Sequence, residues 1–255
     1  MFKELYKYRE LLRTNVKKEI RGKYKGSFLG VLWSFVNPLL MTLVYAIVFP
    51  FLLRSTTPHY VTYLVIGILP WNWFTTIVAQ GTTTFLSNAG IIKKVYFPRE
   101  ILPISVVTSG LVNFLISLLI IALFLICSGI GFSWYIVFLP LIILIQYIFS
   151  LAVVFFTSAI DVYVRDSEYI INFLIQMVFY ATPILYTLDM FPAKFQTLLK
   201  INPMVTIINS YRDVLFYQSL PHIKSLFIIL AVCLLLLCIT YKLFKKLEKG
   251  FAEEL

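Results

Sequence analysis

Charge is scarce in this chain. Its 12 acidic and 22 basic residues make up 13% of 255, against about 25% in soluble domains. Hydrophobic residues reach 60%, so lipid is the solvent for most of the sequence. Histidine occurs only at His59 and His222, without cysteine or carboxylate at ligand spacing, which excludes a metal centre or a catalytic histidine. The cysteines Cys127, Cys233 and Cys238 lie in apolar stretches without redox or metal spacing and read as small buried hydrophobes.

Other absences narrow the chemistry. No G-x-x-x-x-G-K-[ST] phosphate loop occurs, so any nucleotide that drives this protein is held by another chain. Every Asp and Glu sits at or beyond the end of an apolar stretch. That leaves no intramembrane charge to couple an ion or proton gradient and no buried carboxylate pair for catalysis. Asp161 and Asp166 are the best acidic candidates for a membrane enzyme. The opening segment is charge-rich rather than a short basic region with a 7–15-residue apolar core, so it does not read as a cleaved signal. The net charge of +10 is dispersed through segments flanking the apolar stretches, as suits anionic headgroups and membrane lipids rather than nucleic acid.

What remains is a pattern of long uncharged runs: Ser27 to Leu53, Ser55 to Ile92, Ile101 to Ile160, Tyr169 to Leu188 and Ser225 to Tyr241. A spanning helix needs about 20 residues. The third run holds two helices, folded back at Ser128-Gly129-Ile130-Gly131. The expected fold is all-α and polytopic, with six spans at about 28–53, 60–86, 102–128, 134–160, 169–188 and 225–241. Only Arg54, Lys194, Lys200, Arg212 and Lys224 of the 22 basic residues fall on one face, so both termini are expected on the cytoplasmic side.

Residues 1–26 read as a cytoplasmic interface helix, because Leu5, Tyr8, Leu12, Val16 and Ile20 recur at helical spacing between basic residues. Residues 27–255 form the transmembrane domain. Two cytoplasmic turns follow, one around Lys93, Lys94, Arg99 and Glu100, the other from Asp161 through Arg165 and Asp166 to Glu168. Between spans five and six, residues 189–222 are broken by Pro192, Pro203 and Pro221 into pieces with apolar faces. They read as re-entrant or interfacial external helices.

Aromatics make up 17% and gather near span ends. Interfacial belts account for most; a path for sugar rings is the functional reading of Trp33, Phe35, Trp71, Trp73, Phe74, Tyr180 and Tyr186. Amides such as Asn37, Gln80, Asn113, Gln146, Asn172 and Gln176 read as interhelical hydrogen-bonding groups.

Particular strings carry more. Leu29-Gly30-Val31-Leu32-Trp33-Ser34-Phe35-Val36-Asn37-Pro38-Leu39 follows the basic helix. Then come Gly67-Ile68-Leu69-Pro70-Trp71, Lys93-Lys94-Val95-Tyr96-Phe97-Pro98-Arg99, Asp161 to Asp166, Thr182-Pro183-Ile184-Leu185-Tyr186, Asn202-Pro203-Met204 and Tyr211-Arg212. In content and order the chain resembles the ABC-2 type transport permeases, in the branch exporting undecaprenyl-linked O-antigen, teichoic acid or capsular polymer.

The resemblance implies a homodimer in the bacterial inner membrane, docked on two ABC ATPase subunits, with ATP and Mg in that partner and no cofactor here. It implies ATPase coupling through Lys93, Lys94, Arg99, Glu100, Asp161, Arg165, Asp166 and Glu168. It also implies an external gate including Pro183, Pro192, Pro203, Tyr211 and Arg212. Arg13, Lys17, Lys18 and Arg21 are the candidates for engaging the lipid pyrophosphate, since Lys and Arg pair with phosphate. The rivals are a membrane enzyme acting on lipid-linked sugars and a permease of the same family for a small hydrophobic molecule.

Overall fold

The apolar periodicity of the sequence becomes helix throughout. The computed structural model describes residues 6–22, 33–53 and 58–255, and among them no strand forms. The helices are α1 (Arg9–Gly22), α2 (Trp33–Leu53), α3 (Tyr60–Thr82), α4 (Thr84–Ser87), α5 (Ala89–Ile92), α6 (Ile101–Cys127), α7 (Leu139–Tyr163), α8 (Ser167–Tyr180), α9 (Ala193–Leu199), α10 (Pro203–Leu215), α11 (Ile223–Leu247) and α12 (Phe251–Glu254). Short 3-10 turns at Trp134–Phe138, Leu188–Met190 and Glu248–Gly250 connect some of them.

Among the described residues, four helical stretches are long and apolar enough to cross a membrane: Tyr60–Thr82, Ile101–Cys127, Trp134–Tyr163 and Ile223–Gly250. α3 lies centrally, against α2, α6, α7 and α10, while α11 packs along α7. Their facing sides give one continuous core that includes Leu64, Ile77, Val107, Ile145, Phe155, Ile208 and Cys233. The outer sides of α6 and α11 stay apolar and exposed, as at Leu119, Leu123, Phe227 and Leu235. Such uncovered stripes suit a hydrocarbon solvent. Cys127 and Cys238 lie on these exposed sides, and only Cys233 is buried.

The fold-back between α6 and α7 falls where the glycines stand, with Gly129 and Gly131 both at positive φ. Further along, the fifth uncharged run departs from its expected boundary. α8 stops at Tyr180, because Pro183 disfavours helical geometry at Thr182 and breaks the ladder beyond it. Its 14 residues reach about 21 Å, short of a hydrocarbon core of about 30 Å. Residues 181–187 continue without regular structure.

α1 is amphipathic as its spacing predicts: Tyr8, Leu12, Val16 and Ile20 are half-buried, while Arg9, Arg13, Lys17 and Lys18 are exposed. Its apolar side packs against α6. Leu5 lies outside the described residues, as does Arg54.

Candidate functional site

Chemistry-bearing side chains gather at the two ends of the bundle. At the end carrying α9 and α10, Asn202 caps α10 by accepting from the Met204 amide at 3.0 Å, and Pro203 fits the first helical turn because its missing N–H has no partner there. From this start Val205, Ile208, Tyr211 and Leu215 face the core, fully or almost fully buried, as their spacing predicts. Arg212 is carried in with them and is only 1% exposed.

A buried guanidinium needs partners, and Arg212 finds them in irregular backbone. Its Nη1 donates to the Pro183 carbonyl, its Nη2 to the Ile184 carbonyl at 2.7 Å. The guanidinium lies 3.6 Å from the centroid of the Tyr63 ring, a cation–π contact strengthened by desolvation. Burial lowers its pKa, opposed by Tyr63, Tyr217 and Tyr60; an arginine stays protonated in proteins. Tyr60 donates to the Leu185 carbonyl at 2.7 Å and Tyr63 to that of Tyr186 at 3.1 Å. Four consecutive carbonyls, residues 183–186, thus accept from side chains on α3 and α10. Asn202 Nδ2 also donates to the Thr182 hydroxyl at 2.9 Å. Gly67 makes room for this hub, since a Cβ there would stand 2.6 Å from Arg212 Nη2.

Of the residues expected at an external gate, Arg212 holds the Pro183 carbonyl, Pro203 opens the same helix, and the Tyr211 ring packs edge-on against Phe114 of α6. Pro192 stands exposed at the start of α9. Phe195 and Leu198 of α9 are exposed rather than docked. The Tyr211 hydroxyl is buried without a hydrogen-bond partner.

The opposite end carries α1, α4, α5 and the segment after α11. Lys18 donates to Asn88 Oδ1 at 2.8 Å, beside a cleft of about 390 Å³ lined by both of them with Ser87, Gly90, Ile91, Lys94 and Val95. Arg13 and Lys17 are exposed on α1 outside it, and the side chain of Arg21 lies outside the described set. Lys93, Lys94 and Tyr96 project from the following loop, Tyr96 being 91% exposed. Arg165 and Asp166 are exposed on the other turn, with Glu168 half-buried.

Three charged residues expected on a docking surface behave differently. Glu100 is completely buried and pairs with Lys245 at 2.8 Å. Arg99 donates to the Glu248 carbonyl. Asp161 is also completely buried, where its Oδ1 accepts from the Ser167 hydroxyl at 2.9 Å. Charge on a short turn ordinarily faces water; here the segment after α11 and the start of α8 cover it.

The aromatic set divides in the same way. Trp71, Trp73 and Phe74 are 4–6% exposed and pack as core: Trp73 stacks on Phe114 at 4.6 Å and Phe74 on Phe149 at 5.4 Å. An open wall needs exposed rings, which these are not. Trp33 and Tyr180 are exposed, and Tyr186 is half-buried with its hydroxyl on the Tyr180 carbonyl. The side chain of Phe35 lies outside the described set. Gln146, expected to bond between helices, does so by donating to the Pro70 carbonyl at 2.8 Å. Among the described residues no three His, Cys, Asp or Glu side chains gather as a metal site.

A family model described as ABC-2 type transporter matches residues 10–216. The chain belongs to the ABC-2 type transporter family. This ABC-2 chain is 36% identical over 257 residues, 100% of its length and 99% of the relative's, to the O-antigen export system permease protein RfbA of Myxococcus xanthus. It is also 36% identical over 246 residues to a protein of the same description from Klebsiella pneumoniae, covering 96% of this chain and 94% of the relative.

Proposed function

We propose that this chain is the permease subunit of an ATP-driven exporter carrying lipid-linked polysaccharide of the O-antigen kind across the bacterial cytoplasmic membrane. The observation that carries the reading is end-to-end similarity to O-antigen export permeases, covering 100% of this chain and 99% of the relative. Hydrolysis of ATP, with its Mg, belongs to a separate ATPase, because the phosphate-loop motif has no counterpart here.

The working assembly is two permeases with two ATPases. Each permease uses six spans with both termini in the cytoplasm, α2 and α8, the latter with the residues that follow it, completing the set. Lys93, Lys94, Arg165 and Asp166 offer exposed charge to the ATPase at the cytoplasmic end.

The path runs beside α2 and α8, which touch through Tyr45 and Phe179 with ring centroids 6.2 Å apart. Trp33, Leu40, Met41 and Val44 form an exposed stripe on α2, and Tyr169, Phe173, Met177 and Tyr180 form one on α8. Each stripe holds one exposed amide, Asn37 or Gln176. An amide facing lipid would lack partners, whereas aromatics with scattered amides suit a sliding glycan. The cleft holding Lys18 and Lys94 would engage the lipid pyrophosphate through charge-assisted hydrogen bonds.

Co-expression with the neighbouring ATPase, followed by reconstitution into vesicles, tests this reading. A two-plus-two complex that translocates a lipid-linked glycan on adding ATP is expected, with Arg165→Ala/Asp166→Ala lowering ATP turnover or dissociating the complex. Failure of any ATPase to associate, or ATP-driven movement of small hydrophobic molecules but not of glycan, overturns it.

A further inference from the structure

The segment after α11 is short and mostly polar in sequence, yet it is tied into the bundle. After Leu247 the chain turns through Glu248–Gly250 into α12, bringing Phe251 to full burial. Its ring lies 4.8 Å from that of Phe85 on α4, 5.8 Å from that of Phe244 on α11 and 6.1 Å from that of Tyr163 at the end of α7.

Polar contacts tie the same segment to α11, to Tyr163 and to Arg99 and Glu100 ahead of α6. Lys245 bridges buried Glu100 at 2.8 Å and Glu248 at 2.9 Å. Arg99 donates to the Glu248 carbonyl with its guanidinium 5.7 Å from the Phe251 centroid. The Tyr163 hydroxyl donates to the Leu247 carbonyl at 2.7 Å. At Gly250 a Cβ would stand 2.5 Å from that hydroxyl, so the turn closes against Tyr163 only because a glycine is there.

These contacts join two segments far apart in sequence. Arg99 and Glu100 end the loop that exposes Lys93, Lys94 and Tyr96; Tyr163 ends α7 immediately before exposed Arg165 and Asp166. A short helix on the surface needs no buried phenylalanine, and a buried carboxylate is costly unless paired. Four contacts of different chemistry therefore converge on a turn that spans nothing itself.

We propose that residues 245–251 form a coupling strap, which locks the two cytoplasmic turns to each other and to α11 so that they move as one body. Lys245, Tyr163 and Phe251 are its positioning residues. The proposal rests on the exporter reading, in which both turns meet the ATPase, but its mechanical part can be tested in the permease alone.

Spin labels at Ile91→Cys and Tyr169→Cys, with Cys127, Cys233 and Cys238 replaced by alanine, report the separation of the two turns. Labelled subunits are diluted into unlabelled ones. The intact strap gives one narrow distance distribution. Lys245→Met, Phe251→Ala and the milder Tyr163→Phe broaden it, while Lys245→Arg keeps it narrow. In the complex with the ATPase, the first three still co-purify, but glycan exported per ATP falls at least about fivefold, the low end of measured couplings between sites. Lys245→Arg restores that ratio.

A narrow distribution in both Lys245→Met and Phe251→Ala overturns the strap, as does an unchanged export ratio in all three. If wild type binds no ATPase, the exporter reading fails, and the distance measurement still decides whether the turns are locked.

Discussion

Replacing Arg212 with methionine keeps much of the side chain's length but removes the fork that holds the 183–186 backbone. Two hydrogen bonds from a charged donor contribute about 1.5–3 kcal/mol each, and the desolvated contact with Tyr63 about 2 kcal/mol. Part of this is offset, because the mutation also removes a buried charge whose Nε makes no hydrogen bond. The net cost should be about 3 kcal/mol, at the low end of what breaking a buried charged arrangement costs. Tyr60 and Tyr63 still hold the Leu185 and Tyr186 carbonyls, so the expected result is local opening of 181–187 rather than global unfolding. At about 1.4 kcal/mol per decade, the open population rises about 100-fold. Leu185 is 4% exposed. In a background lacking the native cysteines, Leu185→Cys reports the opening by its rate of reaction with a water-soluble maleimide. Where closing outpaces labelling, that rate follows the open population. Arg212→Lys should fall between, since an ammonium cannot present the planar fork to two carbonyls. Equal labelling of the Leu185→Cys thiol beside arginine and beside methionine would refute the hub.

Gly67→Ala should open the same segment without removing a polar group. The new methyl displaces Arg212 Nη2, and overpacking of this kind costs about 1–3 kcal/mol; labelling of the Leu185→Cys reporter should quicken by roughly one to two decades. Asn202→Ala removes both the cap on α10 and the bond to Thr182, for about 1–2 kcal/mol. Its expected signature is faster amide exchange at residues 204–206 together with 181 and 182; exchange confined to one of the two would show that Asn202 does not connect them.

Much of the helical framework is legible in the sequence for a single reason: charge is excluded from spanning helices, so uncharged runs mark them. That reasoning extends span five to Leu188, because residues 181–188 carry no charge, yet the helix ends at Tyr180. Thr182-Pro183 is the available signal, a local backbone rule outranking composition. Trp71, Trp73 and Phe74 cannot be sorted from sequence, since interfacial belt, glycan path and packed core draw on the same aromatic residues. Glu100 reads as a surface group because its partner, Lys245, 145 residues on, becomes a neighbour only in the folded chain; Asp161 reads as one although its partner Ser167 is only six residues on. For Phe251 a cue exists: one large apolar residue amid Lys249, Glu253 and Glu254. Without a length of helix to give it periodicity, it reads as tail.

The constraints on α8 bear on how a path beside it could open. Its start is held by Asp161 through the Ser167 hydroxyl, and the segment after its end is held by Asn202 at Thr182 and by Arg212, Tyr60 and Tyr63 beyond. Between these ties Tyr169, Phe173, Met177 and Tyr180 stay exposed. A 14-residue helix fixed at both ends cannot swing outward beyond Tyr180 without breaking several hydrogen bonds at once, nor at its start without breaking the bond from Ser167 to Asp161. A roll of a few degrees about its own axis disturbs these ties least, whereas a full residue step of about 100° would carry the Ser167 hydroxyl off Asp161. A small roll of α8, or a displacement of α2 against it, would therefore change the lining of the proposed path at far less cost than moving the hub. The α2–α8 contact between Tyr45 and Phe179 is apolar and undirected, the kind of contact that slides, whereas the ties at the ends of α8 are directional and resist it.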